Sequence, residues 1–160
     1  MNAIKSFFKL IFIFFLLLSC SKASKPDLTK ETNAILKLQE KQREIHFSKN
    51  ANGFVNMFSP DYISINKGVI EKPAASQSFR KVSAYFNSVS FVKWDDVQLP
   101  IIRFSDDASI AYAAVDKLVV LKIHDESGKE KLDTTNFAWL AVYKKYNGEW
   151  KLDCVTSTNK

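Results

Sequence analysis

Two stretches, Ser109 to Ile123 and Thr134 to Tyr146, are rich in β-branched and aromatic residues and place apolar side chains at both odd and even positions. A strand sends alternate side chains to opposite faces, so these segments read as long strands of a sheet that is apolar on both sides. Such a sheet must be covered twice. Helices serve one face, and a second copy of the chain is the economical cover for the other, which predicts a homodimer. Asn147-Gly148 follows the second strand at once and is a strong hairpin signal, so Glu149 to Thr156 folds back along it. Val89 to Leu99 and Ile101 to Ser105 supply the remaining strands of a meander.

The part before these strands is helical. Asp27 is an N-cap for a helix running to about Ser48, with a stripe of Leu28, Ile35, Leu38 and Ile45. Asn50 caps a second, short helix from Ala51 to Phe58, and Pro60-Asp61 stops it. Tyr62 to Ile65, a turn at Asn66-Lys67-Gly68, and Val69-Ile70 form a small hairpin. Pro73 suits the first turn of a third helix bearing Phe79, Val82 and Phe86. Helices first and a run of strands afterwards predict one α+β domain over residues 27–160.

The leader is read separately. Residues 1–19 carry Lys5 and Lys9 ahead of an unbroken apolar run, Leu10 to Leu18, half the length of a membrane span. Leu17-Leu18-Ser19-Cys20 resembles the lipobox of bacterial lipoproteins. That resemblance implies a cleaved signal peptide (1–19), diacylglycerol on Cys20, a lipidated polar tether (20–26), and attachment to the periplasmic face of a membrane of the cell envelope. With Cys20 consumed, Cys154 has no partner within the chain and reads as a buried, inert thiol.

The order of elements resembles the nuclear transport factor 2-like superfamily, in its SnoaL-like branch, over about residues 28 to 158. The segments that carry the likeness are Phe58-Ser59-Pro60-Asp61-Tyr62-Ile63-Ser64-Ile65 with Gly68, Asp107-Ala108-Ser109-Ile110-Ala111-Tyr112, Phe137-Ala138-Trp139, and Tyr143-Lys144-Lys145-Tyr146-Asn147-Gly148-Glu149-Trp150-Lys151-Leu152. The resemblance implies a cone-shaped, curved antiparallel sheet packed against the N-terminal helices. The fold hosts isomerases, dehydratases, cyclases and inert binding modules and does not choose among them. Many SnoaL-like relatives carry a histidine before the final serine, where Val155 and Thr156 stand here, and Asn50 replaces an aspartate common at the helix break.

Residues with chemistry are few. His46 lies one helical turn from Gln42, beside the apolar stripe, and either packs in the core or faces the cone as a proton shuttle. Asp116 interrupts an apolar strand and is either a second shuttle with a burial-raised pKa or a surface partner of Lys117 or Arg103. Trp139 and Tyr143, four apart in one strand, share a face. With Gln42, His46 and Tyr85 they form the candidate lining of a ligand cavity. His124, beside Asp125 and Glu126, reads as solvent-exposed.

Phosphate loops, CxxC or HExxH spacings and Ser/His/Asp sets are lacking, so neither cofactor nor metal is expected. The formal net charge of +6 is dispersed and not interleaved with exposed aromatics, which argues against nucleic acid. Three functions fit: a lipid-anchored domain that binds a small apolar molecule or pairs with itself without catalysis; an isomerase, cyclase or dehydratase using His46 or Asp116; and an accessory lipoprotein that docks another envelope protein.

Overall fold

The computed structural model describes residues 25–159. The apolar leader, Cys20 and the start of the tether lie outside the described residues. Helix α1 (Leu28–Phe47) is capped by Asp27, whose carboxylate accepts from the Lys30 amide at 3.1 Å. Its stripe buries Ile35 and Ile45, while Leu28 remains half exposed. Asn50 caps the short α2 (Ala51–Val55) by accepting from the Gly53 amide. No helix among the described residues is long and apolar enough to cross a membrane.

The second helix is shorter than its sequence suggests. Phe58 already opens strand β1 (Phe58–Asn66), and Pro60-Asp61 lies inside that strand. Proline lacks a donor for the sheet ladder and so belongs at an edge or irregularity. The β1 register shifts between Phe58 and Ile63, which accommodates it. Strand β2 (Val69–Glu71) returns through Lys67 and Gly68, both at positive φ (49° and 78°), as a tight two-residue turn demands. Helix α3 (Ala75–Ser88) starts two residues later than Pro73 suggests and buries Ser78 and Phe86.

Strands β3 (Ser90–Asp96), β4 (Ile101–Phe104), β5 (Ile110–His124), β6 (Glu130–Tyr146) and β7 (Glu149–Asn159) complete the domain. The sheet runs β2-β1-β7-β6-β5-β3, with β4 also on β5, and is curved and open. Its neighbours are antiparallel except β1 and β7, which pair in parallel, so the sheet is mixed where the sequence suggested a purely antiparallel one. Pattern alone cannot show this pairing, because it joins an early strand to the last one across most of the chain. The β6–β7 turn uses Asn147 and Gly148 at φ 52° and 83°, as their sequence requires.

Both faces of the long strands are apolar. On β5, Ala111, Ala113, Val115 and Val119 are buried beneath the helices. On the opposite face Ile110 and Tyr112, with Ile101 of β4 and Leu140 of β6, stay exposed. Ile35 sits over Ala111, Ala113, Tyr143 and Leu152 in one core cluster, and Ile45, Met57 and Phe86 form a second.

Candidate functional site

Helix α1 carries His46 into the second cluster, where the residue is 4% exposed. Its ring meets Phe54, Phe86 and Phe91 edge-on, with centroids 4.9, 5.2 and 5.1 Å away, and lies 4.1 Å from Trp94. Nδ1 is 2.7 Å from the Gln42 carbonyl. A carbonyl only accepts, so Nδ1 carries the proton in the neutral ring. Burial pushes the His46 pKa down to about 4; the Gln42 hydrogen bond opposes this, and the charge of Lys117 adds to it. At neutral pH His46 is an uncharged ring in an aromatic cage, with its volume filled on several sides by packed side chains.

Lys117 is the residue that sequence reasoning missed here. It stands in the buried set of β5, between Val115 and Val119, and its side chain is 6% exposed. Its Nζ lies 2.7 Å from Asp96 Oδ1 and 5.9 Å from the ring centroids of both Trp94 and Trp139. The signal was available in alternation: Trp94 and Asp96 share a face, and so do Val115, Lys117 and Val119. A buried lysine is uncommon enough that the pattern favoured a surface assignment.

The other candidates separate. Trp139 lies 5.6 Å from Trp94, beside His46, and also packs against the cluster that holds Tyr143. Tyr85 reaches Phe86 and Phe91, at 5.9 and 5.8 Å, from a 41% exposed position. Gln42 is half-buried and supplies its carbonyl. Tyr143 is 1% exposed but belongs to the cluster under Ile35, where burial pushes its hydroxyl up to about 12. Asp116 pairs with Ala138 and lies on the opposite face of the sheet from Lys117, so it does not meet His46 and is not the surface partner of Lys117. Cys154 is half-buried rather than buried, and its thiol is pushed up first by burial, then by Asp153. His124 is exposed.

Open space lies elsewhere. A cavity of about 510 Å³ sits between the start of β1, the start of α3 and the β6–β7 turn, walled by Phe58, Tyr62, Pro73, Ser78 and Tyr146 among others. A wider groove of about 760 Å³ runs over the outer sheet face beneath Val97 and Leu99, with Ala114, Asp116 and Leu140 along it. Among the described residues no cluster of His, Cys, Asp and Glu is arranged to hold a metal ion.

No protein-family model matches the chain, and no curated protein matches it. Solved structures do. A nuclear transport factor 2-like protein from Cytophaga hutchinsonii superimposes with a TM-score of 0.63 at 15% identity, covering 81% of this chain and 98% of that one. An uncharacterized protein with a cystatin-like fold from Caulobacter vibrioides gives 0.63 at 15%, over 82% and 90%. A ketosteroid isomerase-like protein from Erwinia carotovora atroseptica gives 0.62 at 11%, over 81% and 95%. Helices followed by an open, curved mixed sheet, in the same arrangement as these structures, make this an α+β chain of the nuclear transport factor 2-like fold.

Proposed function

We propose that the chain is a lipid-anchored binding domain of the bacterial cell envelope, holding a small and largely apolar molecule without transforming it. The observation that carries this reading is the enclosure of His46. A proton shuttle needs its reactive nitrogen within hydrogen-bond reach of a substrate. Here Nδ1 gives its proton to the Gln42 carbonyl, which leaves Nε2 as the basic nitrogen, and Phe54, Phe86, Phe91 and Trp94 pack around a ring that is 4% exposed. Asp116, the other candidate base, belongs to the far face of the sheet. The leader and Cys20 support the anchor.

The test uses the full chain in phospholipid nanodiscs, as wild type and His46→Phe, screened for apolar compounds that raise the melting temperature. Phenylalanine keeps an aromatic ring in the cage. Each stabilising compound is expected to shift both proteins equally and to be recovered unchanged. A compound converted by the wild type and left intact by His46→Phe overturns the reading.

A second reading, self-association, is favoured by the outer sheet face, where Ile101, Ile110 and Tyr112 are 51%, 45% and 43% exposed. An apolar face of this kind suits a two-fold interface. Light scattering on the full chain in detergent, with detergent mass subtracted, is expected to give twice the chain mass; a single-chain mass at micromolar concentration contradicts it.

A further inference from the structure

We propose that the cavity between the Phe58–Tyr62 pair and Tyr146 is a ligand site for a neutral or cationic ring compound that carries a hydroxyl or amine donor. This rests on the reading of the domain as a binding module and adds where it binds and what chemistry it selects. The volume, about 510 Å³, falls in the range of small-molecule sites. Phe58 and Tyr62 are stacked with centroids 3.9 Å apart and planes at 11°, a rigid aromatic wall, and Val55, Pro60, Pro73 and Ala75 extend the apolar lining.

One corner is polar, and its polarity has a direction. Ser59, 6% exposed, donates its hydroxyl proton to Asp153 Oδ1 at 2.6 Å. The Tyr146 hydroxyl donates to the same oxygen at 3.1 Å. The Asp61 amide donates back to Ser59 Oγ at 3.2 Å. Both hydroxyl protons are therefore committed to the carboxylate, and Tyr146 is left with oxygen lone pairs to offer. A wall of acceptors beside a carboxylate recruits a donor and repels an anion. Of the nearby lysines, Lys151 is engaged by the Asn56 carbonyl at 3.3 Å and by Glu149 at 3.6 Å, Lys72 pairs with Asp61 at 3.1 Å, and Lys144 lies 5.2 Å from the centre of the Tyr146 ring rather than on its hydroxyl.

The corner exists because of a bulge. Val142 pairs with Cys154 and Tyr143 with Leu152, so Asp153 is the extra residue of β7. That insertion breaks the alternation and turns a carboxylate toward Ser59 and Tyr146.

The probes are 2-naphthol, its methyl ether 2-methoxynaphthalene, and 2-naphthoate, titrated into the full chain in phosphatidylcholine nanodiscs, with protein-free discs as the partition control. The five tyrosines are replaced by 3-fluorotyrosine and followed by fluorine NMR, each resonance assigned by a Tyr→Phe variant. 2-Naphthol is expected to shift the Tyr62 and Tyr146 resonances saturably, with the ether and the naphthoate about tenfold weaker, the loss for one hydrogen bond. Tyr146→Phe is expected to bind 2-naphthol no better than the ether, with its melting temperature close to the wild type's. Equal affinity for 2-naphthol and either other probe overturns the proposal. Saturable shifts confined to Tyr85 or Tyr112 overturn this site while leaving a binding module standing, and no saturable shift at any tyrosine overturns both.

Discussion

Lys117 and Asp96 face each other across β5 and β3, Nζ 2.7 Å from Oδ1, with the lysine side chain 6% exposed and the aspartate 37%. The pair is lopsided, and so are its expected mutational effects. Asp96→Asn leaves an ammonium buried without its counter-ion and is expected to cost about 1–3 kcal/mol, below the full cost for a deeply buried pair because Asp96 is partly solvated. Lys117→Met removes the buried charge and leaves Asp96 to water, so it is expected to be near neutral or stabilising. Urea titrations of both variants check the asymmetry; equal losses would contradict it.

His46 ties stability to pH. Its pKa is about 4 in the folded chain, against an ordinary value of 6.5. Between those values the unfolded chain binds more protons than the folded one, so stability rises with pH through that window. Falling from pH 7 to 4, the chain is expected to lose up to roughly 3 kcal/mol from this group, with no further loss below its folded pKa. His46→Phe abolishes that part of the slope, measured by chemical denaturation at intervals of half a pH unit.

Glu31 of α1 is held by two donors from the final hairpin, Lys145 Nζ at 2.6 Å and Trp150 Nε1 at 2.7 Å. The Lys145 hydrogen bond is the main cause that lowers its pKa. A carboxylate with a lowered folded pKa stabilises above its unfolded value, and the contribution disappears as pH falls through the folded pKa. Glu31→Ala orphans the Trp150 indole N–H, which is 8% exposed as a residue, and is expected to cost about 1–3 kcal/mol at neutral pH. Amide exchange should accelerate in the first turns of α1, and an unchanged rate there would contradict the tie.

Gln39 is a built-in weakness. Its Nε2 is buried and makes no hydrogen bond of good geometry; the acceptor beside it is the Tyr143 hydroxyl, whose ionised form the amide favours. A buried donor with a poor partner recovers little of its desolvation cost, so Gln39→Met is expected to leave thermal stability unchanged or raise it. A lower melting temperature would show that the amide has a partner in solution.

The anchor is checked on Cys20. Grown with a fatty-acid analogue, cells are expected to label the wild-type chain and leave Cys20→Ala unlabelled. Label retained by the variant contradicts lipidation.

The sequence by itself determined what depends on near neighbours. Asp27 and Asn50 cap helices because their carboxylate and amide oxygens reach amides three residues on. The chain turns at Gly68 and at Asn147-Gly148, whose positive φ glycine and asparagine accept at little cost. The alternation of β5 and β6 announced a sheet apolar on both faces. Tertiary structure decided what depends on distant partners. The parallel joining of β1 to β7 unites the first strand with the last, and no local signal encodes it. Trp94, from another strand, and Phe54, Phe86 and Phe91 convert His46 from a candidate base into a neutral packed ring by removing its water. One extra residue in β7 then sets Asp153 against Ser59, 94 positions away, and creates a polar corner that periodicity could not announce, because a bulge is where periodicity fails.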